Sequence, residues 1–316
     1  MSMEHLVLGL ALLAGALAAS NTLNLKRVEK KVLDMAPTSF DDQYQGCMSM
    51  MEKELGELNR TEFANNSVYA TYWAQAAAEW RKQEGHVPQP PSLRTEHAVA
   101  LLAYTMPGGM YKEFNTAVRE GGSSREEYLN KFHFKTLHFL LTQALRILRK
   151  DQPPQCYQVY RGVQGIRFRA RRRDLVRFGQ FTSTSFLKSV AKKFSKDTFF
   201  SVSTCYGVPI RHFSMYPNEE EVLIPPYERF VVTRITKRWK KTHIQLESTG
   251  TFSKYNCEWL KGDIPRDGPS VPRDGASIPR DGASIPWGSD ARTSRGTSAQ
   301  SALDFGEDTF FSVYTC

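Results

Sequence analysis

The segment QPPQCYQVYRGV, residues 152–163, marks the point where the pattern of the chain changes. Before it, apolar residues recur at intervals of three and four, as in amphipathic helices. After it come short runs rich in β-branched and aromatic residues: CYQVYRGV (156–163), GQFTSTSF (179–186), TFFSVSTC (198–205), EEVLIP (220–225) and ERFVVTRIT (228–236). We predict that each run is a β-strand. Helices first and strands afterwards predict an α+β fold rather than alternating βαβ units.

The residues before this point predict a mainly helical half. The run FANNSVYATYWAQAAAEWRKQ (63–83) has helical spacing of its large apolar residues, and TEHAVALLAYTM (95–106) predicts a second, buried helix. Ser124 and Glu127 form a capping-box pattern, which predicts the start of one long helix that ends near Lys150.

Length and charge set broad limits on what the protein does. A chain of 316 residues with 41% hydrophobic residues is long enough for one large domain or two small ones. The formal net charge of +9 favours anionic partners, and nucleotide phosphates, nucleic acid and polyanionic glycans all meet that description. A solvated basic surface without a partner has the same composition, so charge alone does not select among these.

The first twenty residues predict entry into the secretory pathway. LVLGLALLAGALA (6–18) is an apolar run followed by small residues, which is typical of a signal peptide and too short to span a bilayer. We therefore assign residues 1–20 to a signal peptide. Asn59 and Asn65 begin glycosylation sequons, which are weak signals individually.

The end of the chain is of low complexity. PRDGPSV, PRDGASI and PRDGASI repeat with a period of seven within residues 262–316, and proline in every unit excludes a helical heptad. FGEDTFFSVYTC (305–316) matches FSKDTFFSVSTC (194–205) at nine of twelve positions, which indicates a partial duplication. The final residues are too polar for a membrane-anchor signal. We expect a monomer without a membrane anchor, secreted or stored in secretory granules.

The five cysteines fit an oxidising compartment. Two disulfides would leave one cysteine unpaired, but the spacing does not fix the pairing. No two cysteines have CxxC spacing and histidines are sparse, so we predict no metal site.

Four features of the strand-rich half suggest a site when they are taken together. They are Arg161, Ser183, the acidic triplet containing Glu219 and Glu221, and Tyr216 just before it. Glu219 and Glu221 would share a face if the triplet were extended. Separately they could be a surface arginine, an edge-strand serine, a solvated acidic turn and a packing tyrosine. In this order they resemble the Arg, Ser-Thr-Ser, Glu-x-Glu pattern of the arginine-specific mono-ADP-ribosyltransferases of the vertebrate secreted and cell-surface type.

The resemblance covers residues 21–261 and implies both a fold and a reaction. The fold would be a helical N-terminal half packed on a two-sheet, mostly antiparallel core with an NAD cleft. The reaction would transfer ADP-ribose from NAD, or alternatively NADP, to the guanidino group of arginine in proteins or of small guanidines, releasing nicotinamide. The resemblance also implies the disulfides Cys47–Cys257 and Cys156–Cys205, which leave Cys316 unpaired.

The resemblance assigns roles to residues around NAD, and the chemistry agrees with them. Cleavage of the nicotinamide–ribose bond builds positive charge on the ribose, which a carboxylate such as Glu221 can stabilise. Ser183 would hold that carboxylate in place. Arg161 suits the diphosphate because a planar guanidinium binds oxyanions in a bidentate manner. Gly162 would let the backbone approach the nicotinamide amide, and Phe194 would pack against its ring.

The second carboxylate would serve the acceptor. A guanidinium is charged at ordinary pH and is therefore a poor nucleophile, so Glu219 would attract it and help to remove a proton. Tyr216 would flank the incoming guanidinium with its ring.

Two alternatives remain at this stage. Water in place of arginine would make the protein an NAD glycohydrolase, and loss of the chemistry would leave a basic secreted binding protein. No nucleic-acid recognition motif accompanies the charge, so we expect no nucleic-acid partner. RARRRDLVR (169–177) is interpreted as a solvated loop, or as a segment that steers NAD or acidic targets towards the protein.

Overall fold

A computed structural model describes residues 28–262 of the protein. The predicted signal peptide and the repeat tail with Cys316 lie outside these residues. The described chain has an α+β fold in which six helices precede nine strands, as the sequence predicts. The sequence did not predict a four-residue strand before these helices or a six-residue helix among the strands.

Seven α-helices occur within the described residues. Two of the runs that the sequence predicts as continuous helix are interrupted in the structure. Asn66 interrupts the run 63–83, because its side chain accepts a hydrogen bond from the backbone of Tyr69 and caps a new helix. The helix that Ser124 caps ends after seven residues, and a second one begins three residues later. The bounds are α1 Met48–Asn65, α2 Ser67–Gln83, α3 Thr95–Thr105, α4 Met110–Glu120, α5 Arg125–Lys131, α6 Lys135–Lys150 and α7 Lys188–Lys193.

Ten strands accompany the helices in residues 28–262. The five predicted runs are all strands, and the structure adds five that the sequence analysis did not identify. The bounds are β1 Glu29–Val32, β2 Tyr157–Val163, β3 Ile166–Arg169, β4 Leu175–Val176, β5 Thr182–Ser185, β6 Thr198–Thr204, β7 Val208–Pro209, β8 Glu221–Ile224, β9 Glu228–Arg238 and β10 Lys241–Thr251.

Eight strands are hydrogen-bonded in the order β4-β9-β10-β6-β2-β5-β8-β7, and all neighbours are antiparallel except β10 and β6. The two halves of this sheet meet at one residue pair only, Tyr160 of β2 with Ser185 of β5. The strands β2 and β5 therefore diverge beyond this pair and open a cleft between the halves. The short strands β1 and β3 form a separate parallel pair.

Two buried clusters hold these layers together. The larger one joins the helices to the sheet through Phe181, directly before β5, and Leu223 of β8. The smaller one lies on the other side and contains Val222 and Ile224 of β8 together with residues of β2, β6, β9 and β10. Alternate residues of β8 thus enter different cores, as the two-residue period of a strand requires.

Covalent and ionic links connect the two ends of the described chain. The disulfides Cys47–Cys257 and Cys156–Cys205 are both formed, which confirms the pairing implied by the family resemblance. The fully buried Arg177 donates to the Asp41 carboxylate at 2.6 Å and to the carbonyl of Phe252 at 3.0 Å. Because Arg177 has its charge paired and several of its donors satisfied, this buried ion pair is compatible with a stable core.

The sequon at Asn59 does not fit the folded structure. Asn59 lies inside α1, is 6% exposed, and accepts a hydrogen bond from the hydroxyl of the buried Tyr69. A glycan there would have to displace this packing, so the predicted glycosylation of Asn59 is corrected. Asn65 lies exposed at the end of α1 and stays a predicted glycosylation site.

Candidate active site

Arg161 and Ser183, two of the residues that the sequence singled out, lie on the strands β2 and β5 that border the cleft. Arg161 is 4% exposed and its Nη1 donates to the backbone carbonyl of Ser183 at 2.5 Å. This bond crosses from one strand to the other just past the pair Tyr160–Ser185, where the backbone ladder stops. Arg161 therefore links the two halves of the sheet at the mouth of the cleft.

The acidic triplet is not extended, so the sequence argument for its shared face was wrong in detail. Glu219 ends the 3-10 helix Pro217–Glu219, Glu220 has a left-handed φ of 47°, and Glu221 begins β8. The turn is fixed to β5, because the Ser185 hydroxyl donates to the carbonyl of Glu219 at 2.6 Å. Glu220 pairs with Arg211 at 2.7 Å. The tight turn, rather than strand periodicity, brings Glu219 and Glu221 together.

Glu221 is buried and held by hydroxyl groups. It is 1% exposed, the Ser214 hydroxyl donates to its Oε2 at 3.1 Å, and Ser183 also hydrogen-bonds to it. Its Oε1 has no hydrogen-bond partner among the described residues. The pKa of Glu221 is raised from 4.5 to about 7, chiefly by burial and also by the charge of Glu219, while hydrogen bonds from Ser183 and Ser214 and the charge of Arg161 oppose the rise.

Glu219 lies half-buried beside it. Burial raises its pKa to about 7, while the charge of Lys193 at the end of α7 opposes this rise. One of its carboxylate oxygens, Oε2, is buried and lacks a hydrogen-bond partner within residues 28–262. Because the charge of Glu219 also raises the pKa of Glu221, the two carboxyl groups form an interacting acid pair.

The short helix α7 closes one side of the site. A Cβ atom on Gly162 would lie 2.0 Å from the carbonyl oxygen of Ala191 and 2.7 Å from the amide nitrogen of Ser195, so only glycine fits there. The backbone of α7 and of the residues just after it therefore lies very close to Gly162. Phe194, directly after α7, is 8% exposed and packs on Val190.

Tyr216 lies at the start of the 3-10 helix that carries Glu219. It is half-buried, and its backbone amide donates to the Ser214 hydroxyl at 3.1 Å. Ser214 thus binds both the tyrosine backbone and Glu221, and it fixes the loop that positions both carboxylates. Ser214 could not be found from the sequence, because a serine in an irregular segment carries no periodic signal.

A cavity of about 360 Å³ opens beside Arg161. Its wall is basic, with Arg119 and Lys112 from α4 and Lys31 from β1 in addition to Arg161. Arg119 is held by Gln180 and by Thr116, 2.7 Å away. These residues could not be found from the sequence, because α4 and β1 are far from β2 along the chain.

No cluster of three or more metal-ligating side chains occurs in the part of the chain that the structure describes. The site instead combines a buried acid pair, an arginine that crosses the cleft, and a basic cavity of a volume typical for small-molecule sites.

Comparison with known proteins identifies the class that this fold and site define. Residues 33–254 match the family model for NAD:arginine ADP-ribosyltransferase, and the chain belongs to this family. NAD is the co-substrate of this family, and arginine side chains are its acceptors.

Individual relatives are similar over most of their length. The chain is 52% identical to NAD(P)(+)–arginine ADP-ribosyltransferase 2 of Gallus gallus, over 84% of this chain and 86% of that protein. It is 51% identical to the GPI-linked NAD(P)(+)–arginine ADP-ribosyltransferase 1 of Mus musculus, over 75% and 76%.

Solved structures agree with the fold. The crystal structure of the eucaryotic mono-ADP-ribosyltransferase ART2.2 superposes with a TM-score of 0.64 at 38% identity, covering 73% of this chain and 99% of that one. A variant of ART2.2 has been solved in complex with NAD and matches at the same TM-score, 37% identity and the same coverage.

Proposed function

We propose that the cleft between β2 and β5 binds NAD and transfers its ADP-ribose to a guanidino group, with Glu221 acting on the ribose and Glu219 on the acceptor. The observation that carries this proposal is the acid pair itself. Each carboxylate has one buried oxygen without a hydrogen-bond partner in residues 28–262, and such groups are costly unless a ligand completes them.

The reaction requires charge stabilisation at one carbon of the ribose. The bond between the nicotinamide nitrogen and C1 of the ribose breaks, and its electron pair leaves with nicotinamide. A guanidine nitrogen forms the new bond to C1 and loses one proton. The products are ADP-ribosylarginine, nicotinamide and a proton, and the charge that develops on the ribose resembles that in glycoside hydrolysis.

Glu221 is suited to the ribose. It is the more buried of the two acids, and Ser183 and Ser214 bind it on one side, so that Oε1 remains for a ribose hydroxyl or the developing cation. A fixed carboxylate in a site without water stabilises the transition state without having to reorganise. The positive nicotinamide ring would favour the ionised form of Glu221 when NAD binds.

Glu219 is suited to the acceptor, since it is half-buried and therefore reachable from solvent. A guanidinium must lose a proton as it attacks, and a base with a pKa of about 7 is well matched to neutral pH. Tyr216, which begins the same 3-10 helix, would pack against the guanidinium plane.

The remaining roles follow from the walls of the cleft. Arg161 and Arg119 line the same basic cavity, which suits the diphosphate of NAD, because guanidinium groups bind oxyanions strongly. Phe194 and the backbone of Gly162, both next to α7, would contact the nicotinamide.

We further propose that the protein passes through the secretory pathway and acts as a monomer. The apolar run at residues 6–18 and the two disulfides support passage through an oxidising compartment. Within residues 28–262, none of the helices has the length and apolar character needed to cross a bilayer. Size-exclusion chromatography of the secreted protein tests the monomeric state.

The division of labour can be tested with labelled NAD and agmatine. Glu219→Gln should lose transfer to agmatine but still release nicotinamide by hydrolysis, whereas Glu221→Gln should lose both activities. If Glu219→Gln transferred at the wild-type rate, its assigned role would be wrong. If the wild type released nicotinamide without modifying agmatine, the protein would be an NAD glycohydrolase, and if it did neither, a binding protein.

A further inference from the structure

The face of the sheet opposite the inner core carries a groove that the proposed reaction does not use. Along β9 and β10, every second residue points outward, which places Arg238 opposite Lys241 and Arg234 opposite Gln245. Two adjoining cavities of about 430 and 380 Å³ lie on this face. They share Ser195, Phe199, Lys241 and His243 as lining residues, so they form one continuous groove.

Five cations line this groove, and we call it the basic groove: Lys188 and Lys192 from α7, and Arg234, Arg238 and Lys241 from the β9–β10 hairpin. All five are exposed. No carboxylate within residues 28–262 forms an ion pair with any of them, and the lining of neither cavity contains an acidic residue. Five like charges around one depression repel one another, and a bound polyanion would relieve that repulsion.

The charges of this groove affect the pKa of His243, which lies in its floor. Burial lowers its pKa, and the charges of Lys188 and Arg234 lower it further. The ring of His243 lies against Phe199 and within hydrogen-bonding distance of the Ser201 hydroxyl. The groove thus combines positive potential with aromatic and hydroxyl groups, which suit sugar rings and their substituents.

The dimensions indicate an extended ligand. Arg234 and Arg238 are four residues apart on one strand, which corresponds to about 13 Å. The helix α7 packs over β2. The distance across the sheet from β9, through β10 and β6, to β2 is three strand spacings, or about 14 Å. One phosphate or sulfate cannot contact cations spread over such distances, whereas a chain with repeated anionic groups can.

The tip of the hairpin adds one more contact. Trp239 is fully exposed, and its neighbours Arg238 and Lys240 are cationic. An exposed tryptophan among cations also suits an anionic bilayer. However, the cations continue from the tip across three strands into a concave groove, which a planar bilayer could not follow.

We propose that the basic groove binds a sulfated glycosaminoglycan chain through Lys188, Lys192, Arg234, Arg238 and Lys241. The glycan is favoured over nucleic acid because the disulfides indicate an oxidising compartment, and sulfated glycans are the extended polyanions of cell surfaces and matrix. Bound in this way, the enzyme would be retained at proteoglycan-rich surfaces while its cleft stays open to NAD.

The test measures binding of a fluorescent heparin dodecasaccharide to the full chain at 0.15 M NaCl. The triple variant Arg234→Gln, Arg238→Gln, Lys241→Gln should bind about 30-fold more weakly than wild type. The matched control Arg169→Gln, Arg171→Gln, Arg172→Gln removes the same charge from exposed positions outside the groove and should bind within about threefold. Both variants should keep wild-type transfer to agmatine, which shows that they are folded.

Three results would overturn the proposal. The first is an equal loss of affinity in the two triple variants, which would mean that only net charge matters. The second is tighter binding of wild type to a DNA duplex of equal charge, or to phosphatidylserine vesicles, than to heparin. The third is absence of heparin binding by an active wild-type enzyme, a result that would leave the proposed catalytic function intact.

Discussion

Replacing Glu221 with glutamine should stabilise the ligand-free protein at neutral and alkaline pH but not at acidic pH. The carboxyl group is buried, and burial is the largest cause of its raised pKa, with the charge of Glu219 adding to it. Its ionised form is therefore stabilised less by the protein than by water. Glutamine has nearly the same size, cannot ionise, and can still accept hydrogen bonds from Ser183 and Ser214.

The sign and size of the effect follow from linkage. The pKa of Glu221 is about 7 in the folded protein against 4.5 ordinarily, so the folded state holds this proton more tightly than the unfolded state. The stability from this group is fully present below about pH 4.5 and is lost as the pH rises through about 7. The difference between these two pKa values corresponds to a loss of about 3 kcal/mol in the free energy of unfolding at pH 8. We expect Glu221→Gln to recover about 2 kcal/mol of this unfolding free energy. The recovery is incomplete because the amide hydrogens of glutamine have no hydrogen-bond acceptor provided for them.

Thermal melts at pH 4.5 and pH 8 measure the effect. A gain of about 2 kcal/mol raises the melting temperature of a domain of this size by roughly 4–8 °C, and this rise should appear at pH 8 only. Glu247→Gln, at an exposed position of β10, is the control and should change the unfolding free energy by less than about 0.5 kcal/mol at both values. A Glu221→Gln variant less stable than wild type at pH 8, or equally stabilised at pH 4.5, would refute the reasoning.

Three further predictions follow from the site and its surroundings. Ser214→Ala removes a hydrogen bond worth about 1.5 kcal/mol from the ionised form of Glu221, so the acidic limb of the pH–rate profile should move up by about one pH unit. Ser214→Thr should restore the limb, and an unchanged limb in Ser214→Ala would contradict the prediction. Gly162→Ala places a methyl group against the backbone of α7, so urea titrations should show a loss of about 2 kcal/mol or more of unfolding free energy, and the KM for NAD should rise. A variant as stable as wild type would show that α7 adjusts freely. In secreted protein, peptide mapping should find a glycan at Asn65 and none at the buried Asn59, and the reverse would mean that α1 packs differently during synthesis.

Local sequence patterns predicted the main order, helices before strands, but missed five of the ten strands in residues 28–262. The change of pattern at residue 152 predicted helices before strands, and the five runs of β-branched and aromatic residues are all strands. Arg161, Ser183 and the acidic triplet could be selected as a set because their order along the chain resembles that of a known family. The same resemblance supplied the disulfide pairing, which the spacing of the cysteines left open.

Local patterns failed where a side chain competes with the helical backbone. Asn66 lies inside a run with helical spacing, yet its side chain caps the next amide groups and starts a new helix. Asn59 matches a sequon, but its burial depends on Tyr69 of the next helix, which the sequon cannot reveal.

The sequence by itself selected Arg161, Ser183, Glu219 and Glu221 as candidate site residues and placed Arg161, Ser183 and Glu221 in strands. The tertiary structure decided how they act together. Glu219 and Glu221 meet because of a left-handed turn at Glu220, and Arg119 reaches the cavity of Arg161 from a helix 42 residues away. The pKa values of the acids are raised by burial, which is a property of the packed surroundings and not of any short segment. Residue type is encoded locally, whereas distance, burial and electrostatic potential arise only when remote segments pack against each other.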